Sequence, residues 1–424
     1  MAAIVAGLLP VNAQLFYNNG AQVTVAGGGV LFIDGATENA AGVFSNAGQT
    51  TIVGYFRNGS TASGGGAQGI YNVYGDWENN HVFTADQSNV KLVGNAQQIT
   101  GTSVTTFYDL TLLTQGTVKT QTIDANVTDI LSLNDCELAT SDYNMHVYNT
   151  ATGAIARNNG FVSSTGPGRL IRDANSTGTY LFPTGWNDNG SVLYRPIELT
   201  PSVINAQSFA VRMGYGDASL EGYDVNTRAG NVTAVNTKFF HLIKQSGSSA
   251  AAALSIYYDQ NADGTWGSIG RWQTVPQWED LMQTTFTAGS PLSHRTKAVW
   301  TDNGNEPHVL INAKDIQSLF DFPNVFAPGT TDADNNTFHV INQFDLVTVQ
   351  EIKVFDRWGE LVYDANRDGT TCTAPTAGSA PTYCWDGKYR GKLQPMGNYV
   401  YQASVKINST GEVKDVSGNI SLLW

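Results

Sequence analysis

The sequence predicts an all-β protein: an N-terminal parallel β-helix-like or stacked β module, a central β-sandwich and a C-terminal Ig-like β-sandwich. Three observations carry that reading. Short segments of alternating polarity recur at roughly ten to fifteen residues, most followed by Gly, Asn or Asp. Glycine supplies 44 of 424 residues. Charged residues make up only 14% while aromatics reach 11%, the balance of a turn-rich, sheet-rich chain. No sustained 3.6-residue apolar stripe argues for helix. The length exceeds the ~100–200 residues of one domain, so several modules are expected.

Residues 1–13 read as a secretory signal peptide. The apolar run MAAIVAGLLPVNA ends in small residues at Val11, Asn12 and Ala13, so a mature chain would begin at Gln14, although the usual basic n-region is missing. Residues 14–178 contain NVKLVG, TTFYDLTLL, TVKTQTID, VTDILSLND and YNMHVYN, short strands mostly without hairpin dipeptides between them. That pattern suits a stacked solenoid in which each rung covers its neighbour, with an antiparallel sandwich as the alternative.

The pattern changes after the Gly166-Pro167-Gly168 turn, where Pro183, Pro196 and Pro201 punctuate the strands. Residues 179–319, with SFAVRMGYG, KFFHLIKQSG, ALSIYYDQNADG and HVLINAK, read as longer antiparallel strands of a sandwich. Residues 320–424 carry the strongest strand signals, VQEIKVFDRWGELVYDA and GNYVYQASVKI. Tyr399, Tyr401, Ala403, Val405 and Ile407 share one parity, which predicts one buried face. Ser409-Thr410-Gly411 and Gly418-Asn419 are predicted turns.

Lysine and arginine number 23 against 36 aspartates and glutamates, giving a net charge of −13 and no basic block. Nucleic-acid binding through phosphate neutralisation is therefore excluded from the expected partners. No apolar run after the first dozen residues approaches the ~18 needed for a membrane-spanning helix. Cys136 sits in the apolar context ILSLNDCEL and reads as a buried thiol, whereas Cys372 and Cys384 bracket a small-residue loop that a disulfide would close in an oxidising compartment.

The ordered segments FPNVFAPGTTDADNNTF, IKVFDRWGELVYDA and CWDGKYRGKLQPMGNYVYQASV resemble the gliding-motality-associated C-terminal domain of Bacteroidetes surface proteins, the type B sorting domain of the type IX secretion system. The residues that carry the resemblance are Pro323, Asn324, Phe326 and Pro328, then Arg357, Trp358 and Gly359, then Trp385, Asp386 and Gly387, and finally Pro395, Gly397, Tyr399 and Tyr401. Trp358 and Trp385 are expected to anchor a two-sheet core, with Gly359 and Gly387 in turns. The resemblance implies export through the type IX translocon, a PorP/SprF-type outer-membrane barrel as partner, and display at the cell surface. This chain departs from the family in lacking the glycines of its acidic loop, where Gly329 to Asn336 stand, and in the longer insertion between Cys372 and Cys384.

Calcium is the one candidate cofactor, and none is required. Asp259-x-Asn261-x-Asp263-Gly264, Asp332-x-Asp334-x-Asn336 and Asp364-x-Asn366-x-Asp368-Gly369 alternate oxygen ligands like the first half of an EF-hand loop. None has the bidentate glutamate of the twelfth position, where Gly270, Gln343 and Pro375 stand, so a polar turn is the competing reading. The histidines His81, His146, His241, His294, His308 and His339 are scattered without metal-ligand spacing. No GxSxG or phosphate-cradling loop appears, and no enzyme activity is expected. A β-helix polysaccharide-degrading enzyme and a carbohydrate-binding protein, with Trp266, Trp272, Trp278 and Trp300 as stacking candidates, are the rival functions. A surface glycan or protein is the expected passenger ligand.

Overall fold

The computed structural model describes residues 14–314, 320–331, 335–342, 347–369, 383–407 and 413–424. Two compact units emerge. One holds residues 14–222, 236–265 and 285–309, the other residues 223–235, 266–284 and 310–424. The all-β class is observed, with a β-solenoid of about 8 turns. Residues 1–13, read as a leader, lie outside the described residues.

The solenoid opens the first unit. Val30 lies beside Gln49, Gln49 beside Ile70, Ile70 beside Asn89 and Asn89 beside Asp109, all in parallel register, so one turn consumes about 20 residues. The antiparallel alternative for residues 14–178 is thereby overturned: its short strands pair with the rung before and after, not with their chain neighbours. The physical reason is that each rung buries alternate side chains onto identical positions above and below. Strands Ile70–Val73, Asn89–Leu92 and Asp109–Leu112 share one burial alternation, which stacks Tyr71, Val90 and Leu110 in one column and Val73, Leu92 and Leu112 in the next. A second sheet adds an aromatic column, with Phe56 and Trp77 ring centroids 4.8 Å apart and Trp77 and Phe107 5.5 Å apart.

Polar residues form a column of their own. Asn18, Asn39, Asn58 and Asn79 occupy matching positions on successive rungs, all buried, and each amide donates to the next side-chain carbonyl at 2.8, 3.1 and 2.9 Å. Asn39 and Asn58 use their second amide hydrogen on the strand carbonyls of Thr61 and Val82. Buried polar groups need such partners, and in-register stacking at the ~4.8 Å strand spacing supplies them. Parallel stacking ends at strand Leu170–Ala174, whose other neighbour, Gln207–Tyr215, is antiparallel. Arg172 closes that end, fully buried, donating to the carbonyls of Leu181, Ala151 and Thr152. An antiparallel sheet containing Tyr180–Phe182, Ile197–Pro201, Ala252–Tyr258, Ser293–Trp300 and Thr284–Thr287 follows.

In the second unit a five-stranded sheet contains Val325–Phe326, Val413–Leu422, Gly397–Ile407, Val347–Phe355 and Leu361–Asp364 in that order. Its buried face meets the short ladder of Phe338–His339 with Cys384–Trp385, and the core gathers Phe326, Phe338, Ile352, Trp385, Val405 and Ile420. The parity predicted for residues 399–407 holds, since Tyr399, Ala403, Val405 and Ile407 are buried and Tyr401 half-buried. Gly418 departs from expectation. It lies inside strand Val413–Leu422 opposite Tyr401, because a Cβ there would meet the Tyr401 ring at 2.8 Å, so the glycine makes room for an aromatic ring and no turn forms. The predicted turn at residues 409–411 lies outside the described residues.

Candidate functional site

The turn Asp356-Arg357-Trp358-Gly359 joins strands Val347–Phe355 and Leu361–Asp364. Asp356 shapes it: one carboxylate oxygen accepts from the backbone N–H of Trp358 at 2.9 Å and of Glu360 at 2.8 Å, while its carbonyl accepts from Gly359 at 3.0 Å. Gly359 closes the turn at φ +81°, a conformation that costs other residues energy. Arg357 and Trp358 are thereby left as the two central residues, projecting from the sheet.

Trp358 is 84% exposed, so the expectation that it anchors the core is overturned. It stands at a turn apex where the backbone is held by Asp356, and the core position belongs to Trp385. That ring is wholly buried, 5.3 Å from Phe326 and 5.0 Å from Tyr399, with its Nε1–H donating to the Lys388 carbonyl at 3.0 Å. Trp358 therefore presents its ring to solvent at the apex of the turn.

Trp358 borders a cavity of about 430 Å³ whose opposite wall is Pro395, Met396 and Tyr399. Met396 is 56% exposed, and the Tyr399 hydroxyl donates back to the Pro395 carbonyl at 2.7 Å, fixing that loop beside the turn. Burial holds the Tyr399 phenol above its ordinary range, chiefly by desolvation. The Arg357 guanidinium lies 6.0 Å from the Trp358 ring centroid. The groove is therefore lined by a flat aromatic and a flexible thioether, with Arg357 and Asp356 at its rim.

The other motif residues build the domain. Phe326 is in the core, the Asn324 carbonyl accepts from Ser421 N–H at 2.9 Å, and Pro323 and Pro328 are half-buried. Asp386 accepts from the Lys388 N–H at 3.0 Å, and Gly387 takes φ +77° with Pro328 against the place a Cβ would fill. Gly397 starts the strand that carries Tyr399 and Tyr401, and Tyr401 packs on Phe322 and Phe338 at 4.9 and 5.0 Å. Met396 was missed by sequence reasoning, although an apolar residue between Pro395 and Gly397 is out of place in a plain turn.

Two of the acidic loops form one-turn helices capped by their first aspartate. Asp259 caps the one-turn helix Gln260–Asp263, accepting from Asn261 and Ala262 N–H, while its own N–H donates to Asp263 at 2.8 Å. Asp364 repeats this on Ala365–Asp368, accepting from Asn366 at 3.0 Å and donating to Asp368 at 3.0 Å. Asp263 is further committed to Arg195, which grips both oxygens at 2.5 and 2.9 Å in a buried pair. Asp368 pairs with Arg367, which holds its carboxyl below the usual range. Asp332, Asp334 and Cys372 lie outside the described residues, and Asn336 accepts from the Gly329 N–H at 2.7 Å. Cys136 and Cys384 are both buried. Trp278 and Trp300 are core residues, the latter donating to His308 at 2.9 Å, while Trp266 and Trp272 are half-buried.

Residues 320–422 match the family described as the CHU_C type IX secretion signal domain. This region is the C-terminal sorting domain of Bacteroidetes surface proteins, and it directs export to the cell surface or extracellular space through the type IX machinery. No curated protein and no solved structure matches the chain.

Proposed function

We propose that the protein is a non-enzymatic surface component whose solenoid is displayed by the C-terminal domain for adhesion, gliding or surface assembly. The single observation behind this is the division of labour within the sorting motif: Trp385 and its neighbours are spent on the core, whereas Trp358 and Met396 are left for a partner. That partner is an outer-membrane protein of the secretion machinery, with a PorP/SprF-type barrel as the specific candidate. The five-stranded sheet and its facing ladder serve as the Ig-like sandwich, and Cys372 and Cys384 pair as a disulfide.

Support for a non-enzymatic passenger comes from how its titratable groups are used. His241 and His308 are wholly buried structural residues, and the Asp259 loop is a helix cap. The test is crosslinking in the native host with the intact chain and with Trp358→Ala. Recovery of an outer-membrane barrel with the intact chain, lost in the variant, supports the reading, and equal recovery from both overturns it.

A further inference from the structure

A cleft lies in the first unit, outside the sorting domain. Its floor is a solenoid corner, and its roof is the hairpin Gly185–Asp188 with Ser191–Tyr194. The cleft holds about 440 Å³, within the ~300–1,000 Å³ range of small-ligand sites.

Both walls are fixed. Asp135 accepts from Asn158 Nδ2 at 3.2 Å and from the N–H and Nδ2 of Asn159 at 3.2 and 2.9 Å, which locks the corner. Gly185 lies so close to Phe161 that a Cβ would stand 2.8 Å from the ring, which seats the hairpin. Arg157 joins the walls, donating from Nε to the Gly160 carbonyl at 2.6 Å with its guanidinium 4.1 Å over the Tyr194 ring.

What remains unspent defines the ligand. The two terminal nitrogens of Arg157 make no hydrogen bond among the described residues, and neither does Glu137 Oε2, although Oε1 accepts from Ser163 at 2.5 Å. Asn187 uses its oxygen on the Gly190 N–H and keeps its amide hydrogens. Rigid donors and acceptors thus alternate beside the apolar Phe161 and the 52%-exposed Val192. Sugar hydroxyls, which both donate and accept, match such a lining. Asp135 and Glu137 outweigh Arg157, which disfavours anionic polymers, and Arg157 in their midst disfavours cations.

We propose that this cleft binds a neutral saccharide, with Arg157 and Glu137 dividing its hydroxyls. The experiment is calorimetric titration of the purified full chain with short neutral oligosaccharides, with uronate oligomers and chitosan oligomers as the anionic and cationic arms. A neutral oligosaccharide should bind, and Arg157→Ala and Glu137→Gln should each weaken it about tenfold or more. Val192→Trp, on the exposed hairpin, should block the cleft without touching the corner, so the proposal remains open to test even if Arg157→Ala fails to fold. No binding by any neutral arm, stronger binding of the uronate or chitosan arm, or binding unchanged in folded variants would each overturn it.

Discussion

The side-chain amide of Asn39 donates to the side-chain oxygen of Asn58 at 3.1 Å, linking two rungs of the solenoid inside a fully buried column. Asn39 also receives the amide of Asn18 and holds the Thr61 carbonyl. Its truncation removes three buried hydrogen bonds. Asn39→Ala should therefore destabilise the first unit by at least about 1–3 kcal/mol, read from its urea midpoint. A midpoint within error of the parent would mean that the ladder is incidental.

The two tryptophans of the sorting motif should separate stability from export. Trp385→Ala should cost about 3–5 kcal/mol as a large core truncation, whereas Trp358→Ala should change stability by less than about 0.5 kcal/mol. Thermal unfolding of the two variants checks this. Equal losses would place Trp358 back in a core.

His241 predicts an acid-sensitive first unit. Desolvation lowers its pKa to about 4, its ring N–H lies 2.9 Å from the Arg195 carbonyl, and Nδ1 has no hydrogen-bond partner among the described residues. The unfolded chain, with an ordinary value near 6.5, binds the proton more readily. This contribution is fully present above pH ~6.5 and is lost as pH falls toward 4, a span worth roughly 3 kcal/mol. Denaturation midpoints of the parent should drop across that window, and those of His241→Gln should drop less. Parallel pH profiles would refute the assignment.

Asp263→Ala should destabilise by about 3–5 kcal/mol, because it strands the buried Arg195 guanidinium. Calcium at that loop would have to displace Arg195. A rise in the parent's melting temperature on adding calcium, lost in the variant, would contradict the capping role.

Thiol counting tests the proposed disulfide. Of the three cysteines, buried Cys136 should be the single one to react when the chain is unfolded without reductant, and all three should react after reduction. Three reactive thiols without reductant would exclude the bridge.

Much of this was legible in the sequence because periodicity reports burial. The short alternating strands gave away stacked rungs, and the parity of residues 399–407 gave away the sheet face. The asparagine ladder was not read, although positions 18, 39, 58 and 79 repeat at the rung length, since hydrogen bonding between asparagines appears only once the register is known. Trp358 was misplaced because tryptophan alone does not say whether a turn points it inward. The DxNxDG spacing alone does not distinguish a helix cap from a chelating loop, because both draw on the same oxygen side chains.

Residues 320–422 should address the protein to the cell surface through the Trp358 turn. The most direct measurement is surface accessibility to protease on intact native cells for the parent, for Trp358→Ala and for a deletion of residues 320–424. Cleavage of the parent at the surface is expected, with both altered chains retained inside and the Trp358→Ala protein folded. Wild-type surface levels of the Trp358→Ala protein would contradict the role of the turn, and wild-type levels of the deletion would contradict the address itself.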